Sequence, residues 1–153
     1  MWKSTNIMKL ILKYIITLMP LVYMSFIWYL SDSPSDAIIN TRLSFDAAIK
    51  ESLHLVEFGL LYLFWAIAFL VYEKFSPQKN RLSVLIAVVY ALADELHQYF
   101  VPSRSATAID LIKDIVGVII ACYIFTKAYE HKSSRLGLLL RNLEDKFISK
   151  QEG

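Results

Sequence analysis

Between Tyr14 and Ser31 the chain carries no charged side chain. At a rise of about 1.5 Å per residue, such a run nearly crosses a hydrocarbon layer of about 30 Å. The pattern predicts a first transmembrane helix ending near Trp28 and Tyr29, whose half-apolar rings suit a headgroup boundary. Pro20 lies inside it, where it can introduce a kink. A cleavable signal peptide is the competing reading, but the run is long for one and no small-x-small cleavage site follows, so the segment is kept in the mature protein. A second uncharged run, Phe58 to Tyr72, reaches spanning length only if it begins near Leu53, which brings Glu51, His54 and Glu57 to one boundary. Twelve uncharged residues lie between Arg81 and Asp94, and twelve more between Asp114 and Lys127. Each is too short to span by itself. Either they are core helices of a soluble protein, or they continue through charged ends as Leu82–Phe100 and Ile109–Thr126. The second alternative is preferred, with the acidic residues in the outer third of the layer.

Charge in the connections favours four crossings. Lys3, Lys9 and Lys13 precede the first run; Lys74, Lys79 and Arg81 follow the second; Lys127, Lys132, Arg135 and Arg141 follow the fourth. The intervening segments are poor in basic residues, with Arg42 and Lys50 in one and Arg104 in the other. This alternation is what both termini in the cytoplasm would produce. After the fourth run, Leu136, Leu139, Leu140, Leu143 and Phe147 recur at steps of three and four, with Arg141, Asp145, Lys146 and Lys150 between them. That predicts an amphipathic helix, lying on the cytoplasmic membrane surface or packed on a partner. The expected architecture is therefore all-α, an integral membrane bundle of four transmembrane helices over residues 9–129 with a C-terminal amphipathic tail over 130–153.

Composition agrees with one such unit. Of 153 residues, 56% are apolar and 20% charged, and the mean hydropathy is +0.45, which leans away from an ordinary soluble domain. A net charge of +2 offers no global attraction for nucleic acid. The single cysteine, Cys122, sits in an apolar run and reads as a small packing residue.

Two stripes gather the polar residues. At about 100° per residue, Ser83, Ala87, Asp94 and Gln98 share one face of the third helix with Ala91 alongside, and Asp110, Asp114, Gly117 and Ala121 share a face of the fourth. Small residues let helix backbones approach closely in lipid, so these two helices are expected to face each other. Both stripes end in carboxylates on the same, non-cytoplasmic side, the loop between them places Arg104 among Asp94, Glu95, Asp110 and Asp114, and His54 and Glu57 enter at that level. Charged groups within a membrane are costly, so a cluster of them needs either mutual neutralisation or a function. Carboxylates with a histidine can exchange protons, and a guanidinium can pair with a phosphate or carboxylate. The spacing Asp94-Glu95-x-His97-Gln98 is no established zinc signature. No nucleophile elbow, phosphate-cradling glycine loop or second cysteine is present. No metal and no cofactor is expected.

The segment from Asp94 to Arg104, followed by Asp110 and by Asp114-Ile115-Val116-Gly117, resembles the signature of the VanZ-like family, with an Asp-Glu and Gln on helix three, an Arg in the loop, and an Asp and Gly on helix four. Ser31-Asp32, Lys50 and His54 are similar as well, and the resemblance covers roughly residues 14 to 126. Where the family often has Gly before the loop Arg, this chain has Ser103. The resemblance implies a four-helix membrane protein, linked in the family's namesake to resistance to glycopeptide antibiotics such as teicoplanin, and it marks His54, Asp94, Glu95, Gln98, Arg104, Asp110 and Asp114 as site residues.

Two functions fit these residues. One is recognition of a membrane lipid or lipid-linked cell-wall precursor headgroup at the outer face, with Arg104 on the anionic group. The other is acid–base chemistry on a lipid-linked substrate, with Glu95 or Asp94 as general base and His54 as its partner. The partner expected in both is a lipid or lipid-linked envelope precursor, with self-association left open.

Overall fold

A computed structural model describes residues 2–33, 46–102, 104, 107–131 and 133–148, with side chains described from residue 6 in the first helix and from residue 55 in the second. Within these residues the chain is all-α: α1 Trp2–Asp32, α2 Asp46–Leu70, α3 Pro77–Phe100, α4 Ala108–Glu130 and α5 Arg135–Ile148. Helices α1, α3 and α4 contain the expected apolar runs and extend them through polar residues, whereas α2 begins earlier than expected and ends at Leu70, leaving Val71 and Tyr72 in the following turn. At 31, 25, 24 and 23 residues, each is at least about 35 Å long, more than a hydrocarbon layer needs. Composition is more selective: among the described residues, Asn6–Asp32 alone is both long and apolar enough to cross a membrane, and the apolar part of α2 is the shorter Leu55–Leu70.

Local chemistry explains the helix ends. Ser76 caps α3, accepting from the Lys79 amide at 3.4 Å, and Pro77 follows at the first helical position, where its missing N–H costs nothing. Thr107 caps α4, accepting from the Asp110 amide at 3.2 Å and donating its own hydroxyl to Asp110 Oδ2 at 2.6 Å. Helix α1 runs through Pro20, whose side chain is buried.

Long-range contacts define the topology. Thr17 on α1 meets Tyr72 in the turn just after α2, and Tyr23 meets Phe64, so α1 and α2 are antiparallel. Asn80 near the start of α3 meets Tyr62 on α2 and Thr126 on α4. Met24 meets Tyr90 and Ser31 meets Asp94, so α1 and α3 run the same way. The bundle is thus up-down-up-down, and the C-terminal ends of α1 and α3 lie level with the start of α4.

Helix α2 packs most extensively on α4. A Cβ at Gly117 would collide with the backbone carbonyl of Leu55, and one at Gly59 would lie 3.1 Å from the Gly117 carbonyl. The small face of α4 is therefore used against α2, not against α3 as its stripe suggested. Periodicity identifies a face of close approach but not the neighbour, and here Gly59 on α2 supplies the matching gap. The stripe on α3 is buried as expected, through Ser83, Ala87, Ala91, Asp94 and Gln98. Phe58, Leu61, Tyr62, Ala66, Val118 and Phe125 fill the core.

The apolar core is joined by two enclosed carboxylates, and many large apolar side chains lie on the outside. Large apolar side chains point outward from α1 (Val22 68%, Tyr29 68%), α3 (Leu85 58%, Leu96 62%) and α4 (Ile112 59%, Ile119 58%), whereas Asp94 and Asp114 are 1% and 0% exposed.

Candidate functional site

The polar groups at this end form a knot between the C-terminal ends of α1 and α3. The Ser31 hydroxyl donates to Asp94 Oδ1 at 2.6 Å, and the Gln98 amide donates to Asp94 Oδ2 at 2.7 Å and to Ser31 Oγ at 3.3 Å. All three side chains are buried. Asp94 and Gln98 are four apart and so share a helix face, which lets the amide reach back one turn. Each carboxylate oxygen receives a donor, as a buried acid requires.

Beside the knot, His97 Nε2 donates to Asp32 Oδ1 at 2.8 Å, and its ring stacks on Trp28 with centroids 4.0 Å apart. Arg104 lies on α1 as well: its Nε donates to the Ser33 carbonyl at 2.9 Å, and a terminal nitrogen donates to the Leu30 carbonyl. The last carbonyls of a helix have no partners within it and carry its partial negative charge, so a guanidinium there answers both needs. The loop arginine expected among the carboxylates thus caps α1.

Asp110 is likewise explained in part by local structure. Besides its exchange with Thr107, its Oδ1 accepts from Lys113 Nζ at 3.1 Å, and an acid in the first turn suits the helix dipole. Asp114 is wholly enclosed. It lies one turn before Gly117, which packs on Leu55, so the parallel register of α2 and α4 sets it level with the turn of α2 that contains Glu51 and His54. The side chains of Lys50, Glu51 and His54 lie outside the described residues, as does Ser103. Glu95 is half-buried next to Asp94 in the chain. Among the described residues, no three His, Cys, Asp or Glu side chains are grouped closely enough to hold a metal ion.

Of the residues singled out from sequence, Asp94 and Gln98 meet directly, Asp114 lies enclosed at the same end, and Arg104 and Asp110 serve helix ends. Ser31 proves to be a central member, although only its resemblance to a family position had drawn attention to it. A second polar group at the opposite end went unforeseen. Tyr62 donates to Asn80 Oδ1 at 2.6 Å, Cys122 Sγ approaches the same oxygen at 3.4 Å, and Asn80 donates to Thr126 Oγ1 at 3.3 Å. Asn80 continues the Ser83–Ala87 stripe by one turn, so extending that stripe toward the start of α3 would have found it.

A small all-α bundle with an apolar exterior, enclosed polar groups at both ends and one helix fit to cross a membrane is the class that fold and site define. The chain belongs to the VanZ/LLP1 family, whose family model matches residues 2–129. No curated protein and no solved structure matches it.

Proposed function

We propose that this protein is a four-helix integral protein of the cell membrane, with both termini cytoplasmic, whose Asp94–Asp114 end recognises the headgroup of a lipid or lipid-linked cell-wall precursor. The observation that carries this reading is the enclosure of Asp94 and Asp114 at one end of a bundle whose outer faces are apolar. Large exposed apolar patches are rare on soluble monomers, and here large apolar side chains are exposed along α1, α3 and α4. Most of the apolar stretch of α1 is uncovered, with only 17% of it buried, whereas the core helix of a soluble protein would be mostly covered. Hydrocarbon around α1, α3 and α4 accounts for both.

Charge supports the orientation. Lys9, Lys13, Lys74, Lys79, Arg81 and Lys127 belong to the end made by the start of α1, the α2–α3 connection and the end of α4, and basic residues favour the cytoplasmic side. The acidic end then faces outward, where envelope precursors and glycopeptides are met. Glu95, the half-buried acid that follows Asp94 in α3, is assigned to the headgroup contact in this reading.

Teicoplanin susceptibility tests this function. Cells expressing the protein should be less susceptible than cells without it, and Glu95→Gln at equal membrane abundance should lose that protection. Unchanged susceptibility with the intact protein would remove the glycopeptide reading. For the orientation, Ser103→Cys in a Cys122→Ser background should react with an impermeant thiol reagent in intact cells, and Lys79→Cys should not; the reverse would invert the topology.

A further inference from the structure

Helix α5 turns back after α4 and is tied to the bundle at three places. Ser134 starts it, its hydroxyl accepting from the Gly137 amide at 3.0 Å, and any side chain at 137 would strike the carbonyls of Ala128 and His131. Further along, Tyr129 donates to Glu144 Oε2 at 2.7 Å, and Arg141 donates to the Tyr129 carbonyl at 3.2 Å. Near its end, Lys9 Nζ on α1 donates to the Lys146 carbonyl at 3.1 Å. The helix therefore bridges α4 and α1 at the basic end of the bundle.

Its buried face is Gly137, Leu140 and Glu144. That is an edge of the apolar stripe and not its centre. At about 100° per residue, Leu136, Leu139 and Leu143 form the neighbouring face; Leu143 is half-buried against the core, whereas Leu136 is 46% and Leu139 64% exposed. Arg135 and Lys146, both exposed, border the open side of these leucines, while Asp145 lies on the far side next to Leu138, which is exposed there too. Leucines bordered by long basic side chains, with the acid turned away, suit insertion among anionic headgroups: the leucines enter the acyl boundary and the cations stay at headgroup level.

We infer that α5 is an interfacial anchor, inserting Leu136 and Leu139 into an anionic lipid surface with Arg135 and Lys146 on its headgroups. This rests on the membrane reading above. The leucine face is continuous with the basic end of the bundle, where Lys9, Lys13 and Lys127 add to the same attraction for anionic lipid.

The test uses the full chain, Cys122→Ser, in nanodiscs of phosphatidylcholine with or without phosphatidylglycerol. Nitroxides are placed singly at Leu139→Cys, Asn142→Cys and, on the outer face of α1, Val22→Cys. With phosphatidylglycerol, the label at 139 should be relaxed by dissolved oxygen and shielded from a water-soluble nickel chelate, and the label at 142 should show the opposite. Removing phosphatidylglycerol should raise nickel access at 139 several-fold. If 139 remains open to nickel while 22 is oxygen-exposed, the anchor is overturned and the membrane reading survives. Nickel access at 22 as well would overturn both. Spin–spin broadening at 139 would mean that a second copy covers the leucines, which also overturns the anchor.

Discussion

Ser31 and Asp94, 63 positions apart in the chain, are joined by a hydrogen bond of 2.6 Å inside the protein. This contact ties the end of α1 to α3. A buried acceptor that loses its donor costs about 1–3 kcal/mol, so Ser31→Ala should destabilise the bundle by that amount, and Ser31→Thr, which keeps a hydroxyl, should cost less. Thermal unfolding in detergent measures both. Equal stability of Ser31→Ala and the parent would mean that the contact contributes nothing.

Arg104 should matter through α1. Its guanidinium meets the Leu30 and Ser33 carbonyls, and hydrogen bonds to charged groups are worth about 1.5–3 kcal/mol. Arg104→Ala should therefore speed hydrogen exchange in the last turns of α1 more than elsewhere, and Arg104→Lys should restore part of the protection, since an ammonium lacks the planar fork. Exchange that rises only around α4 would show that the cap on α1 is not what Arg104 supports.

The α2–α4 contact predicts an order of severity. A Cβ at Gly117 meets the backbone of Leu55, which cannot rotate away, whereas a Cβ at Gly59 lies 3.1 Å from its nearest neighbour. Gly117→Ala should cost at least the 1–3 kcal/mol or so typical of overpacking, and Gly59→Ala should cost less. Urea or SDS unfolding curves of the two variants would check this. The reverse order would contradict the close approach at Gly117.

Helix α5 should loosen in alkali. Burial, followed by the hydrogen bond and charge of Glu144, pushes the Tyr129 phenol up from 10.0 to about 12. The part of this shift that comes from Glu144 exists only while α5 is docked, so docking holds the proton more tightly, is fully supported below pH 10 and weakens as pH rises toward about 12. Mobility of a nitroxide at Leu139→Cys should increase across that window. Tyr129→Phe, which has no phenol to ionise, should lose that alkaline step and show a looser α5 already at pH 8.

The helices and their number were legible because apolar runs and their periodicity are local properties. The buried face of α3 was legible too: Ser83, Ala87, Ala91, Asp94 and Gln98 repeat at steps of three and four, and no other face of that helix is as small and polar. Helix ends were less so. The uncharged runs understate α1 and α3, whose polar ends continue the hydrogen-bonding pattern beyond Tyr14 and Leu82 toward Trp2 and Pro77. Charge counts do not register backbone hydrogen bonds, so the run limits were too short.

Partnership is a different kind of information. Composition and spacing determined that the chain is helical, that its polar residues gather on particular faces, and that Asp94, Gln98 and Asp114 lie toward one end. Neither could say that Gly117 would meet Leu55 in α2, that Arg104 would reach back to the carbonyls of α1, or that α5 would dock on Gly137 and Glu144 and leave Leu136 and Leu139 uncovered. A helix face has several neighbours of similar shape within reach. Which one it takes depends on how all the helices fill space together and on where each unpaired carbonyl and carboxylate finds a donor.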